Sequence, residues 1–88
     1  MVNYKIFISQ SAKKSIKKLP PTVVKNIISE IKILASDPYP TGCKKIVGHT
    51  NAFKLRVGNY RIIYEVNSSE ILIQVLKIGH RKDIYRNL

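Results

Sequence analysis

Several side chains that could grip or cut a phosphodiester lie close together around residue 80. The run Ile78–Arg86 reads IGHRKDIYR and carries an imidazole at His80, guanidinium groups at Arg81 and Arg86, and a phenol at Tyr85. Cleavage of RNA needs a proton acceptor, a proton donor and cations that offset the charge growing on the phosphate oxygens. These residue types therefore predict a site for phosphoryl chemistry directly after an apolar strand.

A second group of cations lies upstream, in a stretch that predicts a β-hairpin. Gly58-Asn59 suits a two-residue type II′ turn with glycine first. The flanking strands then pair as Val57–Tyr60, Arg56–Arg61 and Lys54–Ile63. Because side chains alternate across a strand, Lys54, Arg56 and Arg61 share one face. Arg56 opposite Arg61 is a like-charge pair that costs about 0.2–1 kcal/mol. A sheet that tolerates this either turns both groups to solvent or reserves them for an anion, and we favour the anion.

The basic groups divide into those that could move protons and those that could hold phosphates. His80 could serve as acid or base, because an imidazole exchanges protons near neutral pH, and Lys54 is the alternative base. Arginines suit phosphate clamping, and a tyrosine could stack on a base or donate its proton. A solvated turn histidine and a helix-packing tyrosine are the structural alternatives for His80 and Tyr85. The predicted catalytic residues are Lys54, Arg61, His80, Arg81 and Tyr85, and the predicted RNA-binding residues are Arg56, Lys77, Lys82 and Arg86.

The composition predicts one small basic domain over residues 1–88. Sixteen Lys and Arg against five Asp and Glu give a net charge of +11, which attracts RNA, DNA or an acidic protein. The acids are scattered, so no magnesium site is expected, and the single Cys43 excludes a disulfide or a Cys-rich zinc site. No cofactor is expected. The sequence shows neither a signal peptide nor a membrane-spanning run, which predicts a cytoplasmic protein without a membrane partner.

Periodicity and prolines predict the elements that position these groups. Residues 4–8 predict a strand, and a helix capped by Ser9 or Ser11 runs to Lys18. Pro20-Pro21 ends that helix and begins a second one, which Asp37-Pro38 ends. Residues 39–51 are predicted to be a loop. Three strands at 52–57, 60–66 and 71–78 and a short helix near 82–87 follow. The predicted fold is α+β: an N-terminal strand, a two-helix hairpin, a three-stranded antiparallel meander and a short C-terminal helix.

The last predicted strand, residues 71–78, is apolar on both faces, as is typical of a strand inside a sheet. A turn is predicted at residues 67–70. Antiparallel pairing across it should place Tyr60 and Arg61 near Leu76 and Lys77. His80 and Arg81 are therefore expected within a few residues of Arg61.

The order of elements, together with two sequence motifs, resembles the RelE/ParE toxin superfamily and is closest to its RelE branch. The motifs are Lys54-Leu55-Arg56…Gly58-Asn59-Tyr60-Arg61-Ile62-Ile63-Tyr64 and Ile78-Gly79-His80-Arg81-Lys82-Asp83-Ile84-Tyr85. The resemblance implies a toxin of a type II toxin–antitoxin system, an mRNA interferase that inhibits translation. It implies a metal-independent endoribonuclease that cuts mRNA in the ribosomal A site. The implied partners are a RelB-like antitoxin, mRNA on the ribosome with contacts to rRNA, and operator DNA through the antitoxin only.

The same resemblance assigns roles to individual residues. Lys54 matches a catalytic lysine, Arg61 and Arg81 match arginines that stabilise the transition state, and Tyr85 matches a C-terminal tyrosine. His80 occupies the position where some branches have a catalytic histidine.

One position departs from the family pattern. RelE-like toxins often carry a second lysine two residues before the first, and this chain has Ala52 there. Cleavage is then expected to be weak, or to depend on His80 or Arg56. The alternatives are a ParE-like inhibitor of DNA gyrase and a degenerate, non-catalytic protein that binds an antitoxin.

Overall fold

A computed structural model describes residues 3–80 of the chain. Five strands and two helices follow one another, with a helical hairpin after the first strand. Their bounds are β1 Lys5–Ile8, α1 Gln10–Lys18, α2 Pro21–Ser36, β2 Cys43–Lys45, β3 Ala52–Val57, β4 Tyr60–Asn67 and β5 Leu72–His80. The α+β class and the two-helix hairpin are confirmed. The short helix predicted near 82–87 lies outside the described residues.

The strands form one sheet in the order β1-β5-β4-β3-β2. Strand β1 runs parallel to β5, with Lys5 opposite Leu72, and the other neighbours are antiparallel. The prediction of a loop over 39–51 was wrong at residues 43–45, because β2 pairs there with β3 and adds a fifth strand. Three residues are too few to show strand alternation in a sequence, so the neighbouring proline and glycine dominated the prediction.

The helices begin and end where local chemistry predicts. Ser9 rather than Ser11 is the N-cap of α1, because the Ser9 hydroxyl accepts a hydrogen bond from the Ala12 amide at 3.0 Å. That helix ends before Pro20, and α2 begins with Pro21 in its first turn, where the missing proline N–H costs nothing. Helix α2 ends at Ser36, and Asp37 is its C-cap, whose successor Pro38 disfavours a further helical turn.

The core lies between the two helices and one face of the sheet. Tyr64, Ile62 and Val75 from the sheet are fully buried, as are Ile27 and Leu34 from α2. The whole cluster is Ala12, Ile27, Ile31, Leu34, Leu55, Ile62, Tyr64, Val66, Ile73, Val75 and Ile78. The sheet face turned away from this cluster is called the outer face below.

Strands β4 and β5 pair in a register different from the predicted one. Tyr60 lies opposite His80 and Arg61 opposite Gly79, not near Leu76 and Lys77. The turn begins later than predicted, since Asn67 and Leu72 are already paired. In addition, Ile63 pairs with Lys77 but Tyr64 pairs with Val75. Leu76 is therefore an extra residue, a β-bulge, which shifts the register by one more position.

Candidate functional site

The β3–β4 hairpin has the predicted turn and the predicted register. Gly58 has a φ of +61°. Among residues 3–80, Ile71 is the one non-glycine residue with a positive φ, so Asn59 is not in that conformation. Asn59 thus keeps a negative φ, as a type II′ turn requires. The pairs Val57–Tyr60, Arg56–Arg61 and Lys54–Ile63 are all confirmed.

The outer face of this hairpin gathers the predicted cations. Lys54 and Lys77 flank Ile63 in one row across β3, β4 and β5, and Arg56 and Arg61 face each other in the next row. The third member of the arginine row is Gly79, so β5 itself places no side chain beside Arg61. The four cations of these two rows are called the cationic floor: Lys54, Arg56, Arg61 and Lys77.

The bulge at Leu76 determines that Lys77 belongs to this face. Below the bulge, Ile73 and Val75 lie on the core side of β5, and strict alternation would put residue 77 there too. The extra residue reverses the alternation, so Ile78 turns to the core and Lys77 turns to the outer face. The bulge thus places Lys77 in the same row as Lys54, on the other side of Ile63.

The cations differ in how freely they reach solvent. Arg56 is exposed, whereas Lys54, Arg61 and Lys77 are half-buried, and Ile63 between the two lysines is only 1% exposed. One guanidinium nitrogen of Arg61 donates to the Tyr60 carbonyl oxygen at 3.1 Å, with a longer contact of 3.5 Å to the Gly58 carbonyl oxygen. Arg61 is therefore held over the hairpin turn with further N–H donors remaining for an anion.

Lys44 is a neighbour of Lys54 that sequence reasoning missed. It pairs with Lys54 from β2 and is exposed. Its neighbour Lys45 pairs with Phe53, so Lys45 belongs to the opposite face. The repeated Lys44-Lys45 was visible in the sequence, but without a strand there was no reason to place either lysine on a face.

The structure does not bring His80 onto the outer face with Lys54, Arg61 and Lys77. His80 is paired with Tyr60, and their rings meet edge to face with centroids 5.5 Å apart. Tyr60 and its partner Val57 pack against the core cluster. His80 therefore lies at the same end of the sheet as Arg61 but in a row that alternates to the helix side.

The remaining predicted site residues fall beyond the part of the chain that can be described. Arg81 and Tyr85 from the catalytic set, and Lys82 and Arg86 from the RNA-binding set, lie outside residues 3–80. Position 52, where many relatives have a lysine according to the resemblance, is 4% exposed. Ala52 is thus nearly closed to solvent on the strand that carries Lys54.

Tyr64 is a structural residue and is fully buried in the core. Its hydroxyl donates to the Pro38 carbonyl oxygen at 2.8 Å, and its ring stacks on Phe53 with centroids 5.8 Å apart. Burial raises the pKa of Tyr64 far above its ordinary value, and the nearby Cys43 thiol adds to the rise. A phenol held neutral in the core packs and donates, and it has no role at the cationic surface.

Two other properties concern metals and membranes. Within residues 3–80, no group of three or more His, Cys, Asp and Glu side chains could hold a metal ion. Neither of the two described helices is long and apolar enough to cross a membrane.

Comparison with known proteins supports the resemblance read from the sequence. The family described as ParE toxin of type II toxin–antitoxin system, parDE, matches residues 6–85. Toxin RelE3 of Methanocaldococcus jannaschii is 35% identical over 85 residues, which cover 92% of this chain and 94% of that protein.

Solved structures agree in fold. The archaeal RelE–RelB complex from Pyrococcus horikoshii contains a chain with a TM-score of 0.82 and 27% identity, covering 92% of this chain and 98% of that one. The toxin–antitoxin complex RelBE2 of Mycobacterium tuberculosis contains another, with a TM-score of 0.81 and 25% identity over 94% and 97% of the two chains. Because the family match extends over nearly the whole chain, the protein belongs to the ParE toxin family and is a RelE/ParE-type toxin of a type II toxin–antitoxin system.

Proposed function

We propose that this toxin is a ribosome-dependent, metal-independent endoribonuclease that cuts mRNA in the A site and so inhibits translation. The observation that supports this function is the cationic floor on the outer face, where Lys54, Arg56, Arg61 and Lys77 occupy adjacent rows. Such a floor offers several N–H donors to the oxygens of one phosphodiester. Stabilising the charge that develops on those oxygens is usually the largest contribution to catalysis of this kind.

The chemistry assigns a distinct task to each group. The ribose 2′-oxygen attacks phosphorus, its proton passes to a base, and the bond from phosphorus to the 5′-oxygen breaks as that oxygen takes up a proton. Lys54 stands on the outer face and His80 does not, so Lys54 is the better placed base or charge stabiliser. Arg61 holds the phosphate, and we assign the same task to Arg81 and a stacking or proton-donating task to Tyr85.

The RNA is held by groups around this centre. Arg56 and Lys77 on the outer face, with Lys82 and Arg86, are the proposed contacts to the message backbone. Lys44 extends the same surface towards the edge of the sheet. A basic surface that follows the backbone binds without regard to sequence, so the ribosome must select the codon that is cut.

A RelB-like antitoxin is the proposed protein partner. The solved relatives from Pyrococcus horikoshii and Mycobacterium tuberculosis are both toxin–antitoxin complexes. We assign this chain the same kind of partner, with operator DNA bound only through the antitoxin. The cytoplasm, where ribosomes and message meet, is the proposed location.

The test is primer extension on programmed 70S ribosomes after addition of the purified toxin. Cuts at the A-site codon are expected with the wild type, and Arg61→Ala and Lys54→Ala should each reduce them by at least about 100-fold, in the range for lost transition-state stabilisation. Lys45→Ala is the matched control, because Lys45 is an exposed lysine on the opposite face of the same sheet. It should cut like the wild type.

Growth and DNA-break assays in cells that express the toxin, run beside primer extension, separate the alternative functions. The description of the matching family names ParE. A ParE-like gyrase inhibitor would arrest growth and cause DNA breaks while the mRNA stays intact. A folded protein that neither arrests growth nor cuts RNA would be a degenerate antitoxin-binding relative. Either result refutes the nuclease.

A further inference from the structure

The solvent side of α1 carries a dense stripe of positive charge. Its buried side is formed by Ala12, which has no exposed surface, and by Ile16, which packs on the core cluster. At 100° per residue, the four lysines of the helix occupy one continuous stripe on the other side. All four are exposed, and they are called the lysine stripe: Lys13, Lys14, Lys17 and Lys18.

Helix stability does not explain this stripe. Lys17 and Lys18 lie in the last turn, where the helix dipole favours cations. Lys13 and Lys14 lie before the last turn, and the first turn of the helix has no acid to balance them. In addition, Lys13–Lys17 and Lys14–Lys18 are like-charge pairs at four-residue spacing, an arrangement that destabilises a helix. Lys13 and Lys14 therefore point to a partner that supplies negative charge.

The chemistry of the surface distinguishes between an acidic protein and a nucleic acid. The other exposed side chains of α1 are Gln10 and Ser11, so this surface has no apolar or aromatic side chain. Protein interfaces centre on aromatic and apolar anchors and are depleted in lysine. Phosphate backbones need only cations at regular intervals, and Lys13 and Lys17 are about 6 Å apart along the helix axis. We infer that the lysine stripe is a second RNA-binding surface, which contacts the phosphate backbone of ribosomal RNA.

This inference rests on the proposed function and assigns a separate surface of the toxin to the contact with rRNA. Because α1 packs on the core side of the sheet, the lysine stripe and the cationic floor face opposite directions. The molecule measures 33 × 28 × 25 Å, so several Debye lengths of about 8 Å separate its opposite sides. A few nucleotides of message on the outer face cannot reach the stripe as well. The toxin is therefore built to sit between two RNA backbones, with the message on one side and folded rRNA on the other.

The experiment measures binding to 70S ribosomes that carry no message, so that only ribosomal groups are available. The Lys13→Gln/Lys14→Gln variant removes two charges that lie before the last turn of α1, where the helix dipole does not favour them. For two lost phosphate contacts, the slope of log K against the logarithm of the salt concentration is expected to become less steep by about 1.5. At 0.1 M salt this corresponds to about 30-fold weaker binding, provided that affinity extrapolated to 1 M is unchanged.

The matched control is Lys25→Gln/Lys32→Gln, which removes the same charge from two exposed positions of α2. It should keep the wild-type salt dependence, and thermal melting should show both variants folded. An equal loss in both variants would indicate attraction to net charge alone and would overturn the inference. Unchanged ribosome binding by the α1 variant would also overturn it, and weaker antitoxin binding by that variant would then assign the stripe to the antitoxin.

Primer extension on programmed ribosomes keeps the two proposals apart. If the wild type cuts mRNA and the α1 variant still binds vacant ribosomes normally, rRNA binding by the lysine stripe is refuted and the nuclease function is supported. If the α1 variant loses ribosome binding while the wild type does not cut mRNA, rRNA binding by the lysine stripe is supported and the nuclease function is refuted.

Discussion

Arg56 and Arg61 face each other across the β3–β4 hairpin without an acid in the same row. Two like charges at adjacent strand positions repel each other in the free protein. The exposure of Arg56 and the anchoring of Arg61 on the Tyr60 carbonyl oxygen keep both guanidinium groups available for an anion. The pair thus lowers the stability of the free protein and leaves two guanidinium groups available to bind an anion.

Replacing Arg56 with threonine is therefore expected to stabilise the free toxin while weakening its action on RNA. The gain should be about 0.2–1 kcal/mol, or roughly 1–8 °C in Tm for a domain of this size. Differential scanning calorimetry and primer extension measure the two effects. Arg56→Lys is the control, since it keeps the like-charge pair and should show no gain. A lower Tm for Arg56→Thr would show that Arg56 stabilises the fold.

The raised pKa of Tyr64 makes the stability of the protein depend on pH in the alkaline range. Burial raises its pKa in the folded state, so the unfolded chain loses this proton first as the pH rises. The stabilisation is complete below about pH 10, the unfolded value, and is lost above it at up to about 1.4 kcal/mol per pH unit. Tyr64→Phe should remove this alkaline loss while costing about 1 kcal/mol at neutral pH for the hydrogen bond to Pro38.

Urea denaturation at pH 8 to 11 measures both effects of this substitution. Tyr39→Phe is the control, because Tyr39 is 49% exposed and should leave the alkaline loss in place. The idea fails if Tyr64→Phe loses stability above pH 10 as steeply as the wild type.

At the scale of elements, Ser9 links three of them at one point. Its hydroxyl accepts from the Ala12 amide at the start of α1 and donates to the Leu76 carbonyl oxygen at 2.7 Å. Leu76 is the bulge residue that turns Lys77 to the outer face. The same serine therefore caps a helix and satisfies a carbonyl at the bulge.

Ser9→Ala should consequently destabilise the protein by about 1–2 kcal/mol, since it removes the cap and leaves a carbonyl without its donor. It should also reduce RNA cleavage under conditions in which the protein remains folded, because Lys77 loses part of its support. Ser11→Ala, an exposed change in the same helix, should be nearly neutral. Chemical denaturation and primer extension on both variants check this, and equal effects of the two changes would exclude the link to the bulge.

The sequence predicted those elements whose local chemistry is unambiguous. Gly58-Asn59 has few alternatives to a tight hairpin turn, so the register of Lys54, Arg56 and Arg61 followed from it. Between β4 and β5, in contrast, Ile71 has a φ of +54°. A β-branched residue rarely adopts this conformation, so the sequence indicated a strand residue there. The turn predicted at residues 67–70 extends to Ile71, and neither this extension nor the bulge at Leu76 leaves a local signal. The closeness of His80 to Arg61 was therefore predicted, but the strand register and the face on which His80 lies were missed.

For the whole molecule, a net charge of +11 acts in opposite directions on folding and on binding. Self-repulsion destabilises the compact state, and the same charge attracts phosphates. Both effects weaken when salt shortens the range of electrostatic forces.

Raising NaCl from about 0.05 to 0.5 M, across which the Debye length falls severalfold, should therefore raise the Tm of the free toxin by a few degrees. Over the same range, affinity for vacant 70S ribosomes should fall steeply. Scanning fluorimetry and filter binding measure the two responses on one preparation. Sucrose at equal osmolality is the control for effects other than screening. A Tm that falls with salt would mean that attractive ion pairs outweigh repulsion.

The pairing of β1 with β5 also determines when the fold can form during synthesis. Lys5 finds its partner at Leu72, so the first strand leaves the ribosome long before its neighbour exists. Such distant pairing forms late, because the intervening chain must first be brought together. The sheet that bears the proposed cutting surface cannot close until β5 has emerged. If the ribosome is the target, as proposed above, a nascent copy that has not yet made β5 cannot cut the message that encodes it.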